Sequence, residues 1–325
     1  MHRAQSVTTA VSQNETGALL APVARCWVCD GASLTPFHEC RFDFTEYRVQ
    51  DPGLHAYTGL TTWLVRCAGC GFAQPAALPT LAHFFDRMYD QRWSPEWVAS
   101  EYDATYKDFI FRSILRALDV RVPSRPRRLL DIGAHAGRFL SLAKDAGWEV
   151  EGIELNPRTA AYARERVGVP VHQVNAWALA DAGARFHAIA LTDVLEHIPE
   201  PVALLRSIAR LLEPGGWVAV KVPCGRSQWL KERLLSRVTK HEVSLAGNLV
   251  HVNHFTPHAL MIALERAGLK RVDVSTGAPE LIPGNQSLIR RSISNAVRLG
   301  VYAAARLPGA VDTPLALNLQ AFATK

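Results

Sequence analysis

The sequence predicts an α/β protein in which a doubly wound sheet of seven strands follows a small cysteine-rich N-terminal module. Short apolar runs alternate with helical patterns from Leu129 onward, which is the rhythm of a parallel sheet covered by helices on both faces. A turn bounded by Gly133 and Gly137 directly follows the first run. Upstream, four of the six cysteines form two Cys-x-x-Cys pairs.

The N-terminal residues 1–24 are expected to be a disordered tail. Their composition is polar, and they lack the cationic start joined to an apolar core that marks a signal peptide. No apolar run in the chain reaches the roughly 18 residues that a membrane-spanning helix needs. We therefore expect a cytoplasmic protein without a transmembrane segment.

Residues 25–76 are expected to form a zinc-ribbon module. Two thiolates separated by two residues face one ion, and two such pairs complete the closed tetrahedral shell of a structural Zn²⁺. The alternative, disulfides in an exported protein, is disfavoured because there is no export signal. Strand-type runs are predicted at 42–49 and 61–65. The predicted zinc ligands are Cys26, Cys29, Cys67 and Cys70.

Residues 77–126 are expected to form a helical cap or linker. Apolar residues recur at helical spacing over 78–92 and again over 96–118, and aromatic side chains are frequent in both stretches. Packing in the core is the simplest role for each of these aromatic residues.

Residues 127–325 are expected to form the sheet domain. Right-handed crossovers bring the carboxyl ends of parallel strands to one edge, so Asp131, Glu154, Asn175 and Asp193 are expected to meet there. The predicted strands are 128–132, 149–154, 170–174, 187–192, 217–222, 271–275 and 315–324. The predicted helices between them lie at about 137–146, 157–167 and 200–212.

The residues at this edge indicate which nucleoside the site accepts. A dinucleotide site needs a middle glycine, but Ala134 or His135 stands there, and no Gly-Lys-Ser/Thr phosphate loop is present. A carboxylate at Asp131 repels phosphate and suits an ammonium group, and Glu154 can accept hydrogen bonds from both ribose hydroxyls. S-adenosylmethionine carries a sulfonium, an ammonium and a ribose without phosphate, and so fits this pattern.

Residues 127–222 resemble a class I S-adenosylmethionine-dependent methyltransferase, similar to the methyltransferase type 23 family. The resemblance continues through Val174–Ala176, the run Leu191–Pro199 and the turn Leu212–Gly216. It implies a Rossmann-like fold, a cap that packs over the cofactor, and adenine recognition by Asn175, where relatives usually have Asp. The cofactor-binding residues so implied are Asp131, Gly133, Ala134, Gly137, Phe139, Glu154, Leu155, Asn175, Ala176 and Asp193.

Two histidines are the candidates for catalysis, because histidine is the usual base near neutral pH. The segment from His251 to His254 and Thr256 is similar to the part of zinc-containing sugar C-methyltransferases that carries a catalytic histidine, whose position His251 takes. Residues 248–250 replace the Tyr-His-Glu run of that family, and its further C-terminal domain has no counterpart here. Transfer to oxygen is therefore favoured over transfer to carbon.

The run Asp193-x-x-Glu196-His197 leaves two interpretations open. A related run in quinone O-methyltransferases, with an acid in place of Asp193, is associated with a divalent metal. The same run also occurs in relatives without that metal, where the histidine caps the strand–helix turn.

The C-terminal third contains two further helices. Thr256 and Pro257 are expected to cap and open one of them. Residues 285–306 form a basic amphipathic pattern. Packing on its own domain is the first interpretation of this helix, and peripheral contact with a membrane or a partner is the alternative.

The charge pattern bears on the acceptor. The chain has a formal net charge of +6, but its arginines are dispersed and no dense basic block with interleaved aromatics occurs. This argues against nucleic acid and favours a small-molecule, nucleotide-sugar or glycan acceptor. The alternatives are an RNA methyltransferase that grips its substrate with the zinc ribbon, and a catalytically inactive S-adenosylmethionine-binding protein.

Overall fold

The structure, a computed structural model, describes residues 18–90, 95–238, 247–282 and 288–325. Most of the predicted tail, residues 1–17, lies outside the described residues. Residues within the predicted tail that are described include a short strand, Leu20–Pro22.

The N-terminal module is a small antiparallel structure around the cysteine pairs. Strands β2, β3 and β4 form one sheet, and β1 pairs with β5 in a separate two-stranded ladder. Its elements are β1 (Leu20–Pro22), β2 (Leu34–Arg41), α1 (Pro52–His55), β3 (Thr61–Cys67), β4 (Ala73–Pro75) and β5 (Ala77–Pro79).

The strand predicted at 42–49 is wrong, because the strand lies earlier, at Leu34–Arg41. Pro36 lies at a register shift of that strand, and a proline, which cannot donate a ladder hydrogen bond, argues against a strand in the sequence pattern. Phe42 and Phe44 instead pack with Tyr57 and Phe84 in a buried aromatic cluster, which turns the chain away from the ladder.

The cap contains three helices, α2 (Phe84–Asp90), α3 (Pro95–Asp103) and α4 (Asp108–Arg121). The helix predicted from residue 78 begins later, since Ala77–Pro79 pairs with the strand at Leu20–Pro22. The helix predicted over 96–118 is interrupted by a single turn at Thr105–Lys107. That interruption brings Lys107 to the edge of the central sheet, as described below.

The central sheet has seven strands, as predicted, in the order β11-β12-β10-β9-β6-β7-β8. Strand β12 runs antiparallel to both of its neighbours. Strand β8 is shorter than predicted, and β10 is longer because it continues through a register shift between Leu212 and Trp217. The strands are β6 (Arg128–Ile132), β7 (Glu149–Ile153), β8 (Val171–His172), β9 (Phe186–Thr192), β10 (Leu212–Pro223), β11 (Lys270–Thr276) and β12 (Asn318–Thr324).

Helices cover the sheet, and their ends follow local signals. Asn156 accepts hydrogen bonds from the first turn of α6, and Thr256 does the same for α10, which confirms the predicted cap there. The helices are α5 (Arg138–Asp145), α6 (Pro157–Val167), α7 (Ala176–Asp181), α8 (Pro201–Leu211), α9 (Gly225–Val238), α10 (Pro257–Arg266) and α11 (Leu288–Ala305). Helices α7 and α9 were not among those that the sequence predicts.

The N-terminal module shares a core with the sheet domain. Cys26, Cys67 and Phe72 belong to the same buried cluster as Leu191 and Val220 of the central strands. The two parts are therefore packed together and are not joined merely by a linker. None of the described helices combines the length and the apolar composition that crossing a bilayer would require.

Candidate functional site

The turn after β6 requires glycine at both ends. Gly133 has φ +75°, and a Cβ added there would lie 2.4 Å from Cγ2 of Val194. Gly137 has φ +86°, and its added Cβ would lie 2.8 Å from Cγ2 of Val167. The backbone N–H groups of Gly133 and Ala134 both donate to the carbonyl of Ile153, which ties the turn to β7. Close packing and left-handed backbone together exclude larger residues here.

An open cavity of about 510 Å³ lies over this turn. The sheet supplies its floor and the cap supplies its roof. Trp97 of α3 meets the ring of His135 edge to face at a centroid distance of 5.1 Å, so the cap rests directly on the turn. The lining residues are Glu101, Ala104, Tyr106, Lys107, Phe111, Asp131, Gly133, Ala134, His135, Ala136, Arg138, Phe139 and Thr192.

Two neighbouring acids, the buried Asp131 that lines the cavity and the half-buried Glu154 beside it, give this edge its electrostatic character. Asp131 is 3% exposed, and burial together with the neighbouring charge of Glu154 raises the pKa of Asp131 well above its usual value. Burial also raises the pKa of Glu154, although this carboxylate accepts hydrogen bonds from the backbone N–H groups of His135 and Asn156, each at 2.9 Å. A cationic ligand would offset the cost of keeping both groups ionised.

The other predicted cofactor residues follow the same edge. Leu155 is exposed beyond β7, and Asn175 precedes α7, where its Oδ1 accepts a hydrogen bond from the N–H of Ala178 at 2.9 Å. Ala176 is buried at the start of that helix. Of the ten residues predicted to bind the cofactor, Asp131, Gly133, Ala134 and Phe139 line the cavity itself.

Asp193 lies at the end of β9 in left-handed backbone, with φ +56°. Its carboxylate accepts a hydrogen bond from Lys107 Nζ at 3.0 Å and another from Lys221 Nζ. Burial by itself would raise the pKa of Asp193, but the two ammonium groups outweigh burial and hold it well below its usual value. Sequence reasoning missed both lysines, although a lysine inside the apolar strand β10 was a signal for Lys221.

His251 lies beside the one-turn helix Leu195–His197 that follows β9. Its ring meets that of His197 edge to face at a centroid distance of 4.8 Å. His197 Nδ1 lies 2.6 Å from the carbonyl of Val250 and 2.7 Å from the hydroxyl of Tyr89, which also donates to that carbonyl. Burial lowers the pKa of His251 to about 3, so the imidazole is neutral at physiological pH.

The segment that carries His251 is held by backbone contacts. The N–H groups of Val252 and Asn253 both donate to the carbonyl of Glu196, and the side-chain amide of Asn253 donates to the carbonyls of Leu195 and Ile198. These bonds fix residues 252 and 253 against the one-turn helix that follows β9. The structure therefore brings His251, Glu196 and Asp193 to one edge, as the sequence predicts for His251 and Asp193.

The ligating atoms of Glu196, His197 and His251 lie within 4.8 Å of one another. Glu196 is 2% exposed, and its Oε2 has no hydrogen-bond partner among the described residues. Burial, with the charge of Asp193 as the next cause, raises the pKa of Glu196. This geometry keeps open the divalent-metal interpretation of the Asp-x-x-Glu-His run as well as the capping interpretation.

His254, the second candidate for catalysis, occupies a different environment. It is 2% exposed, its ring lies 5.0 Å from that of Trp229, and neither ring nitrogen has a hydrogen-bond partner within the described part of the chain. Burial lowers its pKa to about 3. Neither His251 nor His254 is among the residues that line the cavity over the glycine turn.

The four paired cysteines converge in the N-terminal module. Cys26 Sγ lies 3.6 Å from Cys70 Sγ, and Cys29 Sγ lies 3.4 Å from Cys67 Sγ. Zn–S bonds of about 2.3 Å place the sulfurs of a tetrahedron about 3.8 Å apart, whereas a disulfide needs about 2.0 Å. A Cβ at Gly31 would fill the space 3.3 Å from Cys29 Sγ. The donor set and its spacing fit one Zn²⁺.

Comparisons with known proteins agree with this geometry. A family model described as a methyltransferase domain matches residues 102–274. A ubiquinone biosynthesis O-methyltransferase from Thiobacillus denitrificans is 28% identical over 141 residues, which cover 41% of this chain and 58% of that protein. A protein of the same name from Cereibacter sphaeroides is 32% identical over 144 residues, with the same shares of both chains. The chain thus spans about 58% of the length of these curated relatives.

A solved structure is similar in fold. The plantazolicin methyltransferase BpumL, crystallised with a triazolic desmethylPZN analog and SAH, matches with a TM-score of 0.50 at 15% identity, over 75% of this chain and 94% of that one. At this identity the likeness concerns the fold alone.

Proposed function

The chain belongs to the methyltransferase-domain family and is an S-adenosylmethionine-dependent methyltransferase, and from this premise we propose that it methylates a hydroxyl group of a small-molecule or glycan acceptor. The relatives named above are O-methyltransferases by name, which supports oxygen as the site of transfer. A nucleotide-linked sugar is included among the glycan acceptors.

The proposed donor site is the cavity over the glycine turn. When bound there, S-adenosylmethionine supplies a methyl group activated by its sulfonium. Asp131 pairs with the donor's ammonium group, Glu154 accepts hydrogen bonds from the ribose hydroxyls, and Asn175 with Leu155 and Ala176 contacts the adenine. Support comes from the carboxylates of Asp131 and Glu154, whose raised pKa values favour a cationic ligand. The turn itself is formed by Gly133, Ala134, Gly137 and Phe139. Asp193 lies at the neighbouring strand end and completes the proposed donor site.

His251 is the proposed general base, and its position is the observation that carries the proposal. The His251 imidazole is neutral and lies at the edge beside Asp193 and Glu196. The negative charge of Asp193 favours the protonated form of this imidazole. As the acceptor oxygen forms its bond to the methyl carbon, the carbon–sulfur bond breaks with its electron pair on sulfur. The hydroxyl proton passes to the His251 imidazole. The proposed role of His254 is to hold this segment in place through its buried position.

The proposed zinc at Cys26, Cys29, Cys67 and Cys70 is structural, since four thiolates leave no open coordination position. Its module also holds the segment that carries the base. Ala73 pairs with His254 through two backbone hydrogen bonds, Thr256 Oγ1 donates to the carbonyl of Cys70, and Arg266 donates to the carbonyl of Val28. Zinc is therefore proposed to stabilise the acceptor side of the site.

RNA as the acceptor receives less support. Several of the arginines are matched by nearby acids, which neutralises part of the positive charge that RNA binding would use. The ion pairs are Arg25–Asp30, Arg87–Asp51, Arg127–Asp119, Arg128–Glu151, Arg138–Asp108 and Arg210–Asp181.

The test uses S-adenosylmethionine labelled with ¹³C in the methyl group and a panel of phenols, catechols, sugars and nucleotide-sugars. We expect turnover to give a methoxy carbon resonance in the product. His251→Ala should lower kcat by about 10²–10⁴-fold with unchanged donor affinity, while the exposed control His258→Ala should retain full activity.

Four results would overturn parts of this proposal. Full activity of His251→Ala would exclude His251 as the base. A C-methyl resonance in the product would show that carbon, and not oxygen, accepts the methyl group. Donor binding without turnover on any acceptor, or salt-dependent capture of RNA with methylation of that RNA, supports the corresponding alternative.

A further inference from the structure

Between Ile289 and Arg298, helix α11 turns Asn295 and Arg298 toward the protein and its large apolar side chains toward solvent. On the inner side, the Asn295 amide exchanges hydrogen bonds with the backbone of Ile282, and Arg298 donates to the carbonyl of Glu280 at 2.9 Å. On the outer side, Ile289 is 74%, Ile293 62% and Val297 60% exposed. This is the reverse of the usual arrangement for a helix at a protein surface.

The exposed residues form one stripe. Ile289, Ile293 and Val297 follow one another at four-residue spacing, which places them on a single face over two turns. Leu307, 64% exposed, continues the apolar surface just past the end of the helix. Scattered apolar residues are ordinary on a protein surface, but an aligned set on one helix marks an interaction site.

The charge around the stripe indicates the partner. Residues 281–311 contain four arginines and neither aspartate nor glutamate. Arg298 is turned toward the protein, whereas Arg306 is exposed beside Leu307. At the C-terminal end of α11, Arg306 and Leu307 line an open groove of about 1480 Å³ together with Arg116 and Arg121. Among the described residues that line this groove, Asp273 is the one acid, and it is paired with Arg121. The C-terminal end of the stripe is thus both apolar and positively charged.

We propose that the α11 stripe, defined as Ile289, Ile293, Val297 and Leu307, is a docking surface for an anionic lipid bilayer, with Arg116 and Arg306 contacting lipid phosphates. An apolar helix face with arginines at its C-terminal end suits the boundary between acyl chains and anionic headgroups. A second copy of the chain would place like charges opposite one another, and a nucleic acid would leave the isoleucines in water.

This surface is connected to the donor cavity. Leu281 precedes Ile282, whose backbone is hydrogen-bonded to Asn295. The N–H of Leu281 donates to the carbonyl of Tyr106 at 2.9 Å, and Tyr106 lines the cavity. Tyr302 of the same helix meets Phe109 of α4 edge to face at 6.1 Å. Docking through α11 would therefore hold the cap next to the bilayer, where a lipid-borne acceptor enters. The inference does not depend on the proposed acceptor or base.

Cosedimentation of the full chain with vesicles tests this proposal. We expect binding to phosphatidylcholine vesicles that contain phosphatidylglycerol. The affinity for vesicles of pure phosphatidylcholine should be at least about tenfold lower. The double variant Ile293→Glu/Val297→Glu should lose at least about tenfold in affinity for the anionic vesicles. Val49→Glu, at a residue 87% exposed in the N-terminal module, is the matched control and should bind like the unmodified protein.

A second double variant separates charge from apolar contact. Arg116→Gln/Arg306→Gln should weaken binding to anionic vesicles and reduce its salt dependence, while methylation of a water-soluble acceptor stays unchanged in all three variant proteins. The proposal fails if the chain ignores both vesicle types or if the Ile293→Glu/Val297→Glu variant binds equally well. It also fails if light scattering shows a dimer that this variant dissociates, since the stripe would then be covered by a second copy.

Discussion

Lys107, which immediately precedes helix α4 of the cap, donates a hydrogen bond at 3.0 Å to the carboxylate of Asp193 at the end of strand β9. The cap is thus attached to the sheet edge by an ion pair, and its contact residue also lines the donor cavity. Lys221 shares the same carboxylate from the neighbouring strand β10. One acid therefore compensates two largely buried ammonium groups.

Asp193→Asn should destabilise the protein by about 3 kcal/mol or more, because it removes the one carboxylate to which both lysines are hydrogen-bonded. Asparagine tolerates the left-handed backbone of this position, so the change isolates the charge. Urea unfolding at pH 7 measures the effect. Adding Lys107→Met to Asp193→Asn should recover part of the loss, whereas a loss below about 1 kcal/mol would show that the ion pairs contribute little.

Asp131→Asn should change donor affinity and stability in opposite directions. Removing the carboxylate deletes the proposed partner of the donor ammonium and should weaken S-adenosylmethionine binding by about 10–100-fold. It also removes a buried charge whose pKa is raised by burial and by Glu154, so the ligand-free protein should be at least as stable. Calorimetric titration and thermal unfolding give the two values. Asp145→Asn, at an exposed position, is the control, and unchanged affinity in Asp131→Asn would remove the assignment.

Gly133→Ala should cost more stability than Gly215→Ala. Both glycines have φ near +76°, at +75° and +77°, so each substitution carries the left-handed penalty of roughly 1–2 kcal/mol. The space around Gly215 is empty within 4 Å, whereas Cγ2 of Val194 lies 2.4 Å from an added Cβ at Gly133. We expect an additional loss of about 1–3 kcal/mol at Gly133 in urea unfolding. Adding Val194→Ala should lessen the loss from Gly133→Ala, and equal losses at the two glycines would contradict the steric argument.

Zinc content should depend on the paired cysteines alone. The purified chain should contain one zinc per molecule, and Cys67→Ser should lose the metal and lower the unfolding temperature, because metal binding contributes to folding. Cys40→Ser is the control, since burial raises the pKa of the Cys40 thiol to about 12 and keeps it protonated. Elemental analysis decides the matter: zinc retained by Cys67→Ser, or lost by Cys40→Ser, would exclude the proposed ligand set.

His254 should make the protein sensitive to acid. Its pKa is lowered to about 3 by burial, while in the unfolded chain it is about 6.5. Below pH 6.5 the unfolded state gains a proton that the native state does not, so the free energy of unfolding should fall as pH drops from 6.5 toward 3. The slope is up to about 1.4 kcal/mol per pH unit for one such histidine.

The measurement compares the pH dependence of urea unfolding in the unmodified protein with that of His254→Gln. The slope of the free energy of unfolding against pH should be lower in His254→Gln by the contribution of one histidine. The exposed control His258→Gln should keep the slope of the unmodified protein. An identical slope in His254→Gln would show that His254 takes up its proton in the folded state.

The elements that the sequence predicted are those with local signals. The seven strands, the glycine turn and the cap at Thr256 follow from apolar periodicity and from residues that each favour one backbone conformation. The strand at Leu34–Arg41 was missed because Pro36 breaks the pattern, and the strand at Leu20–Pro22 was missed because its partner lies more than 50 residues away.

The sequence by itself determined the sheet, the edge at which Asp131, Glu154 and Asp193 meet, and the convergence of four cysteines, since strand ends and Cys-x-x-Cys turns are short-range features. Only the tertiary structure decided that Asp193 is neutralised by two lysines, that His254 is fully enclosed, and that α11 turns its isoleucines outward. Burial and charge at those residues depend on segments distant in the chain, whose packing no local pattern encodes.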